Sequence, residues 1–294
     1  MSVQIKLTGH NKDLGGGFMV RRLLPAAQKQ AVGPFLFFDH FGPVTVQPGE
    51  NHDVRPHPHI GLATVTYLFE GAIMHRDSLG YEQRIEPGAI NWMTAGRGIV
   101  HSERGPEDLR TKTYVNHGIQ LWAALPVAHE EVAPAFVHTP AADIPELLVG
   151  GAEVRVLIGE AFGKTSPVAT FAPALYLDVQ FKAGGTFEMP PLAPELAIYS
   201  VDSDFEVDGE AVAAHTLVLL EPGVAASISA SQATRFMVLG GEPLDGHRLM
   251  WWNFVSSRKE RIVQASDDWA AQTMGQVEGE TEFIPLPERR FIPG

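Results

Sequence analysis

Two short motifs carry side chains that could hold a metal ion. The stretch "RPHPHIG" places His57 and His59 two residues apart, and "GIVHSERG" places His101 and Glu103 at the same spacing. Residues i and i+2 of a β-strand project from the same face, so a sheet can present each pair to one ion. We therefore predict that these three imidazoles and one carboxylate meet at a single metal site.

A lone H-x-H motif is a weak indication of such a site. With 12 histidines in 294 residues, chance alone produces this motif in roughly every second chain. Under the alternative interpretation, these are surface histidines at a strand end, with Glu103 solvated beside them. The second pair favours the metal site, because it lies on another predicted strand that a closed barrel can bring next to the first.

Nitrogen and oxygen donors of this kind suit several transition metals. Three imidazoles and one carboxylate fit iron, manganese, nickel, copper or zinc, and they leave open positions at an ion that prefers five or six ligands. Iron(II) is the first choice and manganese the next, although the spacing does not select between them. The chain has no cysteine, which excludes thiolate ligands, disulfides and a cysteine nucleophile.

Composition limits the classes of partner. The chain carries 35 acidic and 22 basic residues, for a formal net charge of -13, which gives nucleic acid phosphates no reason to bind it directly. No apolar run approaches the roughly 20 residues of a membrane helix, and the first residues lack the order of a secretory signal. We therefore predict a cytoplasmic protein with no membrane partner and no direct nucleic-acid partner.

The elements that must position these motifs are short β-strands. The 29 glycines and 22 prolines fall between alternating runs rich in Val, Ile, Leu, Thr and aromatic residues, which is typical of an all-β fold. In "LATVTYLF", for example, Thr64, Thr66 and Leu68 share one face of a strand. Ser102, between two predicted metal ligands, should face away from the ion by the same alternation.

The chain divides into two similar halves. Both "RIEPGAINWM" and "HTLVLLEPG" belong to strand, turn and strand patterns that contain Glu-Pro-Gly, which indicates a duplicated barrel. Prolines and poor alternation place the boundary near residues 126–145. We predict an N-terminal metal-binding domain over 1–130, a linker over 131–145 and a metal-free domain over 146–294. The last of these includes an amphipathic helix in "SRKERIVQASDDWAAQTMG" and an extended tail.

The chain resembles the pirin family of the cupin superfamily. The resemblance covers most of residues 15–126 through "GGGFMVRRLLP", "VGPFLFFDHFGP", "HPHIGLATVTYLFEG", "HRDSLG", "MTAGRGIVHSE" and "GIQLWAALP". The second half matches more loosely, at "VLLEPG", "RFMVLGGEPL" and "WWNFVSS". Leu79 and Arg97 depart from the family pattern and bear on the shape of the pocket more than on metal ligation.

The resemblance implies a bicupin. Its fold would be two antiparallel jelly-roll β-barrels that face each other, with a few short helices. One mononuclear iron would lie in the N-terminal barrel, held by the residues that match the family's ligands, namely His57, His59, His101 and Glu103. The second barrel has no H-x-H or H-x-E pair and is expected to bind no metal.

The resemblance also implies a function, because several bacterial pirins act as quercetin 2,3-dioxygenases. Such an enzyme opens a flavonol ring with O2 and releases carbon monoxide, and Glu103 would take the proton of the substrate 3-hydroxyl. We expect His117, Gln120 or backbone carbonyls to orient the ligating imidazoles, and an apolar pocket wall is expected from Phe37, Phe38, Trp92 and Met93.

Two other functions compatible with the family stay open. One is a binding module, a coregulator whose contacts with a protein partner depend on the metal or its oxidation state, without turnover. The other is a hydrolase or isomerase of the wider cupin superfamily, because one barrel hosts many chemistries. Turnover of a flavonol by the metal-loaded protein would distinguish the dioxygenase from the binding module.

Overall fold

The computed structural model describes residues 2–14 and 17–291. Gly15 and Gly16 of the "GGGFMVRRLLP" motif lie outside the described residues. Strands dominate, as predicted. The helical elements are α1 (Lys259–Ala270) and short 3-10 turns at Glu107–Leu109, Val127–His129 and Ala141–Asp143. In the described part of the chain, no helix has the length and apolar character needed to cross a membrane.

The strands follow one another with short connections. Those up to residue 139 are β1 (Val3–Thr8), β2 (His10–Asp13), β3 (Met19–Leu24), β4 (Phe35–Val46), β5 (Val54–His59), β6 (Leu62–Glu70), β7 (Ile73–Asp77), β8 (Glu82–Ile85), β9 (Ile90–Thr94), β10 (Ile99–Arg104), β11 (Tyr114–Ala124) and β12 (Ala135–Thr139). Those after it are β13 (Glu146–Val149), β14 (Ala152–Ile158), β15 (Glu160–Ala161), β16 (Lys164–Thr165), β17 (Ala174–Phe181), β18 (Gly185–Met189), β19 (Glu195–Ser200), β20 (Phe205–Val207), β21 (Glu210–Val212), β22 (Thr216–Leu220), β23 (Ala226–Ala230), β24 (Thr234–Gly241), β25 (Leu249–Trp251) and β26 (Phe254–Ser256).

The strands form two compact units. The histidine unit comprises Asn11–Val20, Asp39–His138 and the chain from Asp245 onward. Its strands lie in a four-stranded sheet in the order β5-β10-β7-β8 and in a seven-stranded sheet in the order β12-β9-β6-β11-β4-β3-β2, of which residues 21–24 of β3 and 35–38 of β4 are assigned to the other unit. The pairs β5–β10, β10–β7, β7–β8, β9–β6 and β6–β11 are antiparallel, which is the pairing expected of a jelly-roll barrel.

The companion unit repeats this architecture. It comprises the chain up to His10, Arg21–Phe38 and Thr139–Leu244. Its sheets have the orders β1-β22-β19-β24-β17-β14-β13 and β18-β23-β20-β21. Inward-facing residues of both sheets, among them Phe187, Ile198 and Phe236, form its core. The predicted all-β fold with two cupin domains is therefore confirmed.

The compact units differ from the predicted ranges 1–130 and 146–294, which are continuous in sequence. Strand β1 pairs with β22, so Val3 lies opposite Leu220, and this pairing joins the N-terminal residues to the companion unit. The C-terminal residues, including α1, belong to the histidine unit. Strand periodicity is local and does not indicate which distant segments pair with each other. The boundaries of independently folding domains stay a prediction.

The predicted linker over 131–145 contains β12, the edge strand next to β9, and its role as a linker stays a prediction. Pro134 and Pro140 flank this strand without lying inside it. An edge strand tolerates proline at its ends, since it leaves one row of backbone groups unpaired. The prolines therefore mark the ends of a strand, and the chain passes from the histidine unit to the companion unit between His138 and Thr139, inside the predicted linker.

Helix α1 covers the strands that carry the predicted ligands. Ile262, Ala265 and Trp269 form an apolar stripe at helical spacing, and they pack in one cluster with Ile60 and Val100. These last two residues directly follow His59 and directly precede His101 in the sequence. The predicted amphipathic helix is therefore present, and it packs against the strands that carry the predicted ligands.

The turn between β5 and β6 depends on a glycine. Gly61 has a φ of +68°, and a Cβ atom on it would lie 2.0 Å from the carbonyl oxygen of Val255. The backbone N–H of Val255 in turn donates to the carbonyl of Ile60. Only glycine allows this close approach at this backbone angle. The C-terminal strand β26 is therefore held against the end of β5.

Candidate metal centre

Strands β5 and β10 bring the two predicted ligand pairs together. They pair antiparallel, with His101 directly opposite His57 and Ile99 opposite His59. The register shifts between His101 and Glu103, which places Glu103 opposite Val54. A shift of this kind adds one residue to one of the two strands. Against β7, His101 and Glu103 pair without a shift, opposite Asp77 and His75, so the extra residue lies on β5 and the second pair keeps its shared face of β10.

Three imidazoles converge in the interior of the histidine unit. One ring nitrogen from each of His57, His59 and His101 lies within 4.8 Å of the other two. The ring centroids are 4.4 Å apart for His57 and His101, 5.0 Å for His57 and His59, and 5.1 Å for His59 and His101. All three residues are buried. Glu103 is not part of this group, so the structure brings together three of the four predicted ligands.

Two of the rings are oriented by backbone carbonyls. Nδ1 of His57 lies 2.8 Å from the carbonyl oxygen of Arg55, and Nδ1 of His59 lies 3.1 Å from that of Asn253. Each Nδ1–H can donate to its carbonyl, which leaves Nε2 as the metal-binding nitrogen. Backbone carbonyls were one of the predicted orienting groups. Asn253, far along the chain, carried no signal in the sequence.

The third ring has no hydrogen-bond partner. His101 is buried, and neither its Nδ1 nor its Nε2 has a partner among the described residues. A buried polar atom without a partner is unfavourable and rare in folded proteins. A metal ion bound between His57, His59 and His101 would satisfy this nitrogen. The donor set therefore fits a transition metal.

Burial keeps these rings in the form that binds metals. It lowers the pKa of His57 to about 4, although the hydrogen bond to the Arg55 carbonyl acts in the opposite direction. Burial also holds the pKa values of His59 and His101 well below the ordinary range, and the neighbouring histidines lower them further. Neutral imidazole is the metal-binding form, so all three rings are ready to bind at neutral pH.

The pKa of Glu103 is shifted in the opposite direction, upward. Burial of its carboxyl group raises the pKa to about 7, and the neighbouring Thr66 hydroxyl partly offsets this effect. Thr66 Oγ1 lies 3.5 Å from Oε1 of Glu103 and donates a 2.8 Å hydrogen bond to Oε1 of Gln120. The carboxyl group therefore lies beside Thr66 of the sheet that faces the histidines. With a pKa of about 7, it gains or loses its proton near neutral pH.

A second buried pair lies next to the cluster. His75 Nε2 lies 2.9 Å from Oδ2 of Asp77, and the His75 ring centroid is 5.3 Å from that of His101. Phe136 stacks on the other side of His75 at 4.2 Å. Sequence reasoning left His75 without a definite role, and it gave no sign of Phe136, which lies in the predicted linker.

The predicted pocket wall is only partly present. The ring of Trp122 lies 5.0 Å from that of His59, and Trp122 and Met93 both lie opposite Thr64 in the sheet. Directly paired side chains share a face, so Met93 faces the histidines. Trp92 is on the other face.

The remaining predicted neighbours of the site have other contacts. Phe37 and Phe38 belong to the companion unit, where the guanidinium of Arg22 lies over the Phe37 ring. His117, expected beside the ligands, lies at a register shift of β11, and its Nε2 is 2.8 Å from that of His40. A register shift changes the face on which a side chain lies.

The C-terminal segment fixes β5 and β10 from their outer face. Ser102 Oγ donates to Oε1 of Glu280 at 2.6 Å, and Nε of Arg104 donates to Oε2 at 2.9 Å. The backbone N–H of Ile284 donates to the carbonyl of Pro56 at 2.8 Å. Ser102 thus points away from the histidines, as alternation predicts.

Comparison with known proteins agrees with this architecture. The pirin family model matches residues 17–123, and the model of the pirin C-terminal cupin domain matches residues 176–275. A pirin-like protein of Caulobacter vibrioides is 45% identical over 290 residues, which are 97% of this chain and 100% of that protein.

Solved structures show the same likeness. A crystal structure of quercetin 2,3-dioxygenase from Acinetobacter baumannii superposes with a TM-score of 0.90 at 34% identity, over 99% of this chain and 97% of that one. A bacterial pirin of Escherichia coli in complex with nickel(II) shares the fold, with a TM-score of 0.64 at 16% identity, over 82% of this chain and 99% of that one. The chain described here therefore belongs to the pirin family of cupin proteins.

Proposed function

We propose that this protein is a metal-dependent dioxygenase that opens the ring of a flavonol such as quercetin. The observation that carries the proposal is the buried His101 ring, which has no hydrogen-bond partner among the described residues on either nitrogen and which converges with the rings of His57 and His59. The likeness to the Acinetobacter baumannii quercetin 2,3-dioxygenase, at 34% identity over almost the whole chain, supports the choice of reaction.

The proposed ligands of the metal are His57, His59, His101 and Glu103. Iron(II) is the first choice, and manganese, nickel, copper and zinc are the alternatives that these donors accept. When bound, a redox-active ion supplies Lewis acidity and one-electron chemistry toward O2. Burial of the three rings removes competition by protons at neutral pH, since the pKa of His57 is about 4.

Glu103 is the proposed catalytic base. A carboxyl group with a pKa of about 7 exchanges its proton readily at neutral pH, as general acid–base catalysis requires. Thr66 lies beside Oε1, which leaves Oε2 to take the proton of the substrate 3-hydroxyl. Deprotonation makes the flavonol ring electron-rich and therefore reactive toward O2. In the balanced reaction, both oxygen atoms of O2 enter the products and one ring carbon leaves as carbon monoxide.

The second candidate is a metal-dependent binding protein without turnover. The net charge of -13 favours contact with a protein partner over direct contact with DNA. Such a protein would use the same histidine cluster, and its contacts with the partner would depend on the bound metal or on its oxidation state. A protein partner and a cytoplasmic location stay predictions.

The test compares turnover in metal-loaded variants. Protein loaded with iron(II) under anaerobic conditions is mixed with quercetin and O2, while flavonol absorbance and carbon monoxide are followed. The proposal predicts loss of absorbance with one carbon monoxide per quercetin consumed. His101→Ala should lose both iron and turnover, whereas His247→Ala, at an exposed histidine, should retain both.

Two results would contradict the proposal. Turnover that survives in His101→Ala would exclude the assigned metal site. Intact quercetin in the presence of fully iron-loaded wild-type protein would exclude the dioxygenase and favour the binding protein.

A further inference from the structure

A row of polar side chains crosses the larger sheet of the histidine unit. Asn91 of β9 and Gln120 of β11 lie directly opposite Thr66 of β6, and directly opposite side chains share a face of the sheet. His138 of β12 continues the row, because its Nδ1 lies 2.5 Å from Oδ1 of Asn91. These four residues, His138, Asn91, Thr66 and Gln120, are called the polar row below.

The polar row faces the histidine cluster. At its centre, Thr66 Oγ1 lies 3.5 Å from Oε1 of Glu103. At its end, His138 lies two residues after Phe136, so the two share a face of β12. Phe136 stacks on His75, in the sheet that carries the metal-binding histidines. Both contacts place the row on the inner face of the sheet.

Asn91 holds an unused hydrogen-bond donor in this row. The residue is 2% exposed. Its Oδ1 accepts from His138, whereas its Nδ2 has no partner among the described residues. Buried amide nitrogens are almost always paired. The His138 contact fixes the Asn91 amide through its oxygen, so the unpaired Nδ2–H is available to a ligand. The oxygen of Gln120 is occupied by Thr66, so Gln120 also has N–H groups to offer.

We propose that Asn91 is a substrate-binding residue, which donates its Nδ2–H to an acceptor oxygen of a flat hydroxylated aromatic ligand at the histidine cluster. This inference rests on the proposed function and adds a specificity residue to it. An N–H donor suits the ring carbonyl oxygen of a flavonol, and a ligand without that oxygen leaves the donor unpaired. His138 is a positioning residue, because it orients the Asn91 amide and is assigned no contact with the ligand.

The test measures binding without turnover. Wild-type, Asn91→Asp and Asn91→Leu proteins are loaded with iron(II), and the Kd of quercetin is measured anaerobically from the shift of its absorbance. Catechin, a flavan-3-ol without the ring carbonyl, serves as the second probe. Thr94→Val is the matched control, since Thr94 is a buried polar residue of β9 whose side chain lies on the face opposite that of Asn91.

We expect both Asn91 variants to keep their iron and to bind quercetin about tenfold more weakly, which is the effect of one lost hydrogen bond of good geometry. Their affinity for catechin should match that of the wild type. Thr94→Val should bind both compounds as the wild type does.

Each other outcome overturns the assignment in a recognisable way. Quercetin affinity that is unchanged in both iron-loaded Asn91 variants refutes the role of Asn91 and leaves the dioxygenase proposal intact. An equal loss in Thr94→Val shows that general loosening of β9 is the cause, which also refutes it. A wild-type protein that binds no quercetin refutes both the inference and the proposed function.

Discussion

Metal binding should release protons, and the number released per ion should depend on pH because of Glu103. With a pKa of about 7, this carboxyl group is mostly protonated at pH 6 and mostly ionised at pH 8. If it becomes a metal ligand, binding releases about 0.9 proton at pH 6 and about 0.1 proton at pH 8. His57, with a pKa of about 4, is already neutral at both values and adds almost nothing.

The assay is titration calorimetry of the metal-free protein with a divalent ion, run anaerobically in pairs of buffers that differ in ionisation enthalpy. The slope of the observed heat against that enthalpy gives the number of protons released. Glu103→Gln keeps the shape of the side chain and cannot ionise, so its proton release should be close to zero at both values of pH. Gln120→Ala, near Glu103 but assigned no ligand role, is the matched control.

Equal proton release at pH 6 and pH 8 in the wild type would refute this reasoning. So would a pH-dependent release that Glu103→Gln retains, since another group would then carry the proton. In either case Glu103 would not be the metal ligand that we assign.

Other consequences concern the support of the site. Glu280→Ala should lower the free energy of unfolding by about 2 kcal/mol, because it removes the partner of the buried Ser102 hydroxyl and one carboxylate partner of Arg104. Glu282→Ala, at an exposed residue, should lower it by less than about 0.5 kcal/mol in the same denaturant titration. In metal-free protein, His57 takes up its proton at about pH 4 when folded but at its ordinary value of 6.5 when unfolded. Stability should therefore fall between pH 6.5 and pH 4, by about 3 kcal/mol for this residue, and unchanged stability over that range in thermal scans would contradict the assigned burial. Gly61→Ala should cost at least about 2 kcal/mol, because its Cβ would meet the carbonyl oxygen of Val255 at a positive φ; a wild-type melting temperature would show that the turn rearranges freely.

Local periodicity predicted much of the site. The i, i+2 spacing of His57 and His59 and the alternation that turns Ser102 outward both hold in the folded sheet. Alternation in "LATVTYLF" also placed Thr66 and Leu68 together on one face. These features depend only on the two-residue repeat of a strand, which can be read from a few residues at a time.

Features that depend on distant parts of the chain could not be predicted in this way. The carbonyl of Asn253 orients His59 from 194 positions away, and Glu280 holds β10 from 178 positions away. The register shift between β5 and β10 places Glu103 opposite Val54, where regular pairing would place it opposite Arg55. Long-range pairing and local irregularity arise from packing in the complete fold, and hydrophobic periodicity does not record either of them.

The central claim is that three buried imidazoles bind one metal ion, and X-ray absorption spectroscopy of the iron-loaded protein tests it most directly. We predict one iron per chain, with scattering from three imidazole rings in the wild type and a lower number after His101→Ala. An iron spectrum without imidazole scattering, or one that His101→Ala leaves unchanged, would contradict the account.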